Sequence, residues 1–157
     1  MPKITPNLWF DTQALEAAEH YVSIFPNSKI NDTSYYGDAG PRDKGMVLTV
    51  DFELDGQRFT GINGGPEFTF DEAVSFLIEC KDQGEIDYYW EKLSEGGELS
   101  QCGWLKDRYG LSWQVCPADL SDTIMDPDPG RRNRAMEAMM KMQKLDIAAL
   151  KAAADGR

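Results

Sequence analysis

The sequence contains a single histidine, His20, and that scarcity limits the chemistry open to the chain. Imidazole is the commonest protein metal ligand and the commonest general base near neutral pH, so one copy cannot furnish a histidine-rich metal centre. His20 also lies inside a segment of helical periodicity, where a surface or packing role is expected ahead of ligation. Cysteine is scarce too: Cys80, Cys102 and Cys116 are odd in number and too widely spaced for a CxxC zinc or redox motif. They read as reduced thiols of an intracellular, cytoplasmic protein. Basic residues are outnumbered, 16 Lys and Arg against 27 Asp and Glu, for a formal net charge of −11. Phosphate recognition needs clustered cations, so neither nucleic acid nor an anionic membrane is an expected partner. No stretch approaches the ~20 apolar residues of a membrane span, and the start, MPKITPNLWF, lacks the basic region and apolar run of a signal peptide.

Aromatic residues are well supplied, with four Trp, seven Phe and six Tyr in 157 residues. That number points to heavy packing or to an aromatic-lined cavity, in a chain long enough for one domain or for two half-domains. The stretch NGGPEFTF, residues 63–70, divides it. Two glycines followed by a proline end any regular element there, and similar grammar lies on both sides.

In the first half, residues 4–10 read as a strand and residues 14–25 as a helix, with apolar Ala14, Ala18, Tyr21, Val22 and Phe25 at intervals of three and four. Residues 29–36 form a second strand, and the glycine-rich 37–45 a loop near a pocket. Residues 46–54 alternate with period two, and Asp55-Gly56 turns the chain into a return strand that puts Phe59, Gly61 and Asn63 on one face. In the second half, residues 73–80 alternate as a strand and residues 82–95 carry Ile86, Tyr89, Trp90 and Leu93 as a helical stripe. Strands follow around 99–105 and 111–116, with room for a short one near Glu98. Residues 119–130 read as an acidic connection. Residues 134–144, with Met136, Met139 and Met140, read as a helix packed on the body or as a subunit contact, and Asp146 caps a last helix over 147–154.

This order is β-α-β-β-β twice over, and several strings carry a family resemblance: LWFDTQALEAAEHYVSIFPNSKI, LTVDFELDGQ, INGGPEF, YYWEKLSEGGE, CGWLKDRYGLSWQV and KLDIAAL. The chain resembles the PhnB-like branch of the vicinal oxygen chelate superfamily, often catalogued as 3-demethylubiquinone-9 3-methyltransferase. The resemblance implies an α+β fold of two βαβββ modules, residues 1–63 and 64–118, whose curved mixed sheets surround a cleft. A helical extension follows over 119–157, and the implied assembly is a homodimer.

The superfamily generally holds a divalent metal on the first and last strands of each half, where it polarises substrate oxygens. Carried across, those positions fall near Pro6 or Asn7, on or near Asn63, near Ser75 or Phe76, and on Gln114. None is His, Asp or Glu, and amide oxygens alone make a weak set for transition metals. No metal or other cofactor is therefore expected, although a divalent metal is what the family would suggest. Glu67 stands where the branch would have His and reads as a solvated loop acid. A class I methyltransferase would place a glycine-rich turn between its first strand and helix, and none is present. The expected site is a small-molecule cleft lined by Asn7, Trp9, Asn63, Cys102, Trp104 and Gln114. The alternatives are a metal-dependent lyase or transferase like glyoxalase I or the fosfomycin-resistance proteins, and a protein that sequesters its ligand without turnover.

Overall fold

In the computed structural model, which describes residues 3–157, each half of the chain builds its own four-stranded sheet. The first compact unit ends at Thr69 and the second runs from Phe70 to Arg157. Together the elements form an α+β protein with helices at its C-terminus.

The first unit contains β1 (Asn7–Phe10), α1 (Ala14–Ile24), β2 (Lys29–Tyr35), β3 (Val47–Leu54) and β4 (Gln57–Asn63), with the sheet ordered β1-β4-β3-β2. β1 runs parallel to β4, and the other pairs are antiparallel. The Asp55-Gly56 hairpin forms as its residues suggest: both adopt positive φ, 48° and 88°, the conformation a two-residue turn needs to match strand twist. α1 buries Ala14, Ala17, Ala18, Tyr21 and Ile24. Tyr21 stacks on Phe52 at 6.3 Å and Phe52 on Phe59 at 5.5 Å, so this core lies between α1 and one face of the sheet. Gly61 permits the close approach, because a Cβ there would stand 3.3 Å from that of Ala14. The loop over residues 37–45 is anchored at both ends: Tyr36 N–H donates to Met46 O, Gly45 N–H to Tyr36 O, and Arg42 binds the Asp11 carboxylate at 3.0 Å.

The second unit contains β5 (Ser75–Cys80), α2 (Gln83–Ser94), β6 (Glu98–Leu99), β7 (Trp104–Lys106) and β8 (Ser112–Pro117), with the sheet ordered β5-β8-β7-β6. The short strand at Glu98 completes the repeat. Asp82 caps α2 by accepting the Glu85 N–H at 2.9 Å, and α2 buries Ile86, Tyr89, Trp90 and Leu93. Asp107 shapes the KDRYG hairpin. Its buried carboxylate accepts the N–H groups of Tyr109 and Leu111 through Oδ1, and the Trp113 indole N–H through Oδ2 at 2.9 Å.

Of the C-terminal helices, the first departs from the sequence reading. α3 spans Pro129–Met139, beginning ahead of Arg134 because Asp128 caps it, accepting the Arg131 N–H at 2.8 Å, and Pro129 takes the first turn. It ends before Lys144 because the carbonyls of Met142 and Gln143 instead accept the N–H groups of Cys102 and Gly103, both at 2.8 Å. Of the methionine stripe, Met136 is 39% exposed and Met140 61% while Met139 is half-buried, and Ala135 is the buried residue of α3. α4 spans Ile147–Ala154, capped by Asp146 as expected. Among the described residues no helix is long and apolar enough to cross a membrane.

Candidate functional site

Each sheet packs one face against the helix of its own unit and leaves the other without cover from that helix. Strand alternation decides which side chains lie there. In the first unit Leu8, Phe10, Phe59, Gly61 and Asn63 are buried toward α1, so Asn7, Trp9, Thr60 and Ile62 take the opposite, open face. Thr49 and Asp51 join them from β3. Ser34 Oγ and Thr49 Oγ1 share a hydrogen bond of 2.5 Å. Arg58 binds Asp51 Oδ2 at 2.8 Å, while Asp51 Oδ1 is buried with no hydrogen-bond partner among the described residues.

Asn63, expected to line the cleft, lies on the helix face and is a structural residue. Its Oδ1 accepts the Ala14 N–H at 2.9 Å, its Nδ2 donates to Val47 O at 3.0 Å, and its carbonyl accepts the Tyr36 hydroxyl at 2.6 Å. The reason is phase, since the last residue of β4 shares a face with Phe59 and Gly61 and the strand cannot turn one side chain over. Trp9 is on the open face but is engaged. Its indole N–H donates to Gly65 O at 2.9 Å, and its ring meets that of Phe68 edge to face at 5.0 Å between centroids. A Cβ on Gly64 would stand 2.3 Å from the same indole, so the NGGP glycine is there to let the ring lie flat on the backbone. Glu67 is exposed, as a loop acid.

In the second unit Trp113, Val115 and Leu105 are buried toward α2, and Ser75, Leu77, Trp104, Lys106, Ser112, Gln114 and Cys116 take the open face. Trp104 is paired directly with Gln114 across β7 and β8. Gln114 Nε2 donates to Ser75 Oγ at 2.9 Å, which fixes the amide, and among the described residues Oε1 has no hydrogen-bond partner. Beside this pair is a cavity of about 130 Å³ lined by Glu72, Glu98, Leu99, Ser100, Trp104 and Lys106 among others. The Lys106 ammonium binds the Glu72 carboxylate, and that hydrogen bond holds Glu72 below and Lys106 above their ordinary pKa values. Cys116 also lies on this face, but burial pushes its thiol up to about 11, so it is not a nucleophile near neutral pH. Cys102 does not line the sheet. It occupies the turn before β7 at φ 59°, with Sγ 3.6 Å from Met140 Sδ.

Sequence reasoning missed Thr60, Ile62, Lys106 and Ser112. The signal was available for Thr60 and Ile62, since fixing α1 against Phe59 assigns its neighbours to the other face. It was not available for Lys106, which depends on where the three-residue β7 begins. Of the positions where the fold would carry a divalent metal, those on the open faces hold Asn7, Ser75 and Gln114, two amides and a hydroxyl. Among the described residues no group of three or more His, Cys, Asp or Glu could hold an ion. These residues do not fit a transition-metal centre. They do not fit S-adenosylmethionine either: β1 passes to α1 through Asp11-Thr12-Gln13 with no glycine-rich turn.

Paired four-stranded mixed sheets, each built from a βαβββ unit, are the architecture of the vicinal oxygen chelate superfamily. Residues 2–116 match the family described as 3-demethylubiquinone-9 3-methyltransferase. The solved structure of a Bacillus cereus PhnB protein, described as a putative member, is 36% identical, covers 73% of this chain and 98% of its own, and superposes with a TM-score of 0.66. The chain belongs to this PhnB-like family. A Pseudomonas aeruginosa protein shares the fold at 20% identity and TM-score 0.64, covering 76% of this chain and all of its own, 100%. So does the fosfomycin resistance protein of Listeria monocytogenes, at 14% identity and TM-score 0.52, covering 76% of this chain and 93% of its own. No curated protein matches.

Proposed function

We propose that this chain binds a small polar organic molecule on the open face of its second sheet, through Gln114, Ser75 and Trp104, without a resident transition metal. The observation that carries the reading is the Gln114–Ser75 hydrogen bond. It leaves a fixed amide carbonyl as acceptor and a serine hydroxyl as donor, side by side, which is the complement of an amide, a hydroxyl or a carboxylic acid. Trp104, in register with Gln114, adds an aromatic wall for a flat or apolar portion, the mixture that small-molecule sites use. The neighbouring cavity of about 130 Å³ is well below the ~300–1,000 Å³ of drug-sized pockets, so within this unit the anchor is a subsite for one functional group.

Binding without turnover is favoured over catalysis. Among the residues of this face none is an imidazole, since the one histidine, His20, sits on α1 of the first unit, and the face's thiol is held protonated. The methyltransferase description supports membership of the family and not that reaction, for want of a fitting cofactor turn. The test is a fragment screen by nuclear magnetic resonance, watching the Trp104 indole and the Gln114 side-chain amide. Saturable shifts at both, from hydroxyl- or amide-bearing aromatic fragments, are expected. Hits confined to other surfaces would overturn the reading.

A further inference from the structure

Register gives the Gln114 face an uneven charge. Glu98 of β6 pairs with Lys106 of β7, and Lys106 with Ser112 of β8, so these three stand in one row across the sheet. Trp104 and Gln114 form the next row, two residues and therefore ~7 Å further along the strands. Glu72, from the turn that precedes β5, lines the cavity of about 130 Å³ beside them, together with Glu98, Lys106 and Trp104.

The carboxylates here outnumber the cations. Lys106 binds Glu72, and that hydrogen bond favours the charged form of Glu72. Glu98, in register with the same lysine, makes no ion pair of its own among the described residues. Asp71 also acts on Lys106, and its carboxylate accepts the Ala73 N–H at 2.9 Å, a neutral donor that leaves its charge in place. The groups whose charges act on Lys106 are thus the anions Glu72, Glu98 and Asp71, and Lys106 is the cation of the cavity wall among the described residues. Three carboxylates against one ammonium leave two negative charges unmatched. A carboxylate entering this space is repelled and a second ammonium is drawn in. Trp104 adds to the preference, because an indole attracts cations over its face.

We propose that the ligand of this face is a small aromatic amine that also bears a hydroxyl or an amide, its ammonium received between Glu98 and Glu72 and its ring laid beside Trp104. The inference rests on binding at Gln114 and adds the charge of the occupant to it. The polar group and the ammonium lie at opposite ends of such a molecule, matching two rows ~7 Å apart: one end meets Gln114 and Ser75, the other the carboxylates. Both glutamates are exposed, so salt screens the attraction.

The probes are tyramine, tyrosol and para-hydroxyphenylacetate, which share a phenol and differ in ending on an ammonium, a neutral hydroxyl or a carboxylate. Each is titrated into the isotope-labelled full chain at low ionic strength. Tyramine is expected to shift the Trp104 indole, the Gln114 side-chain amide and the Glu98 backbone amide saturably, with about tenfold higher affinity than tyrosol, and the carboxylate is expected to bind most weakly. Added salt should narrow the gap. Glu98→Gln, at an exposed position, is expected to bring tyramine down toward tyrosol. Glu91→Gln, the same charge change on the exposed side of α2, is expected to keep the gap, which separates this site from the overall charge of −11. Equal affinity of tyramine and tyrosol at Gln114, or a gap that survives Glu98→Gln, would overturn the inference and leave binding at Gln114 standing. Silence of the Trp104 and Gln114 signals toward all three probes, and toward neutral hydroxyl and amide fragments, would overturn both.

Discussion

Asn63 Oδ1 accepts the Ala14 N–H at 2.9 Å, so a residue at the end of β4 caps the first turn of α1. Gln13, at the capping position itself, makes no side-chain cap bond. The same amide donates to Val47 O, and the residue is 2% exposed. One side chain thus ties helix, β3 and β4 together at the point where the chain leaves the sheet. Asn63→Ala is expected to destabilise the protein by about 1–3 kcal/mol, because it strands a buried donor and a buried acceptor. Urea unfolding checks it. Ligand shifts at Trp104 should survive in the folded variant, and their loss with unchanged stability would return Asn63 to a binding role.

Gly64→Ala tests the hinge. The added methyl would stand 2.3 Å from the Trp9 ring, which is also tied by its N–H to Gly65 O. An overpacking loss of about 1–3 kcal/mol is expected, with a shift of tryptophan emission as the indole is displaced. Wild-type stability would show that the indole does not lie on this glycine.

Gln114→Leu separates binding from folding. The side chain is half-buried on an open face, and its hydrogen bond to Ser75 contributes about 0.5–1.5 kcal/mol. Unfolding should move by no more than that, while the fragments that shift the Trp104 indole should lose their affinity by about tenfold or more. Full fragment affinity in Gln114→Leu would show that the amide is not a contact.

Acid sensitivity should concentrate in the C-terminal helices. Arg131 binds Asp126 at 2.9 Å and Asp155 at 2.5 Å, and these hydrogen bonds hold both carboxyls below their ordinary range. A folded pKa below the unfolded one adds stability above the unfolded value, ~3.9 for Asp, and that contribution fades as pH falls through the folded value. Arg131→Met should therefore lose stability at neutral pH and show a flatter dependence below about pH 4. At the alkaline end the sign reverses. Cys80 and Cys116 are pushed up to about 12 and about 11, so stability should fall as pH rises past the ~8.5 of an unfolded thiol. Thermal melts across pH check both limbs.

Much of the fold is legible in the sequence because period and punctuation agree. Leu48, Val50, Phe52 and Leu54 alternate into Asp55-Gly56, and Ile86, Tyr89, Trp90 and Leu93 recur until Gly96, so pattern and turn chemistry mark the same ends. The site is less legible. Asn63 looks like a ligand position until the phase of β4 against α1 is fixed, and phase is set by Gly61 meeting Ala14, a contact between residues far apart in the chain. Trp104 and Gln114 are neighbours through register, which no local pattern announces. The start of α3 was legible in Asp128-Pro129, a cap followed by a first-turn proline inside a stretch whose acidity suggests a loop.

Asn7, Ser75 and Gln114 stand on the open faces where the superfamily would hold a metal, and the proposed ligand is bound by such amide and hydroxyl groups in place of an ion. Elemental analysis of the chain, produced in medium supplemented with Zn, Ni, Mn and Fe and purified without chelator, tests it most directly. The expected result is well below one transition-metal ion per chain, with fragment shifts at Gln114 unaffected by chelator. One ion per chain, removed by chelator together with those shifts, would contradict it.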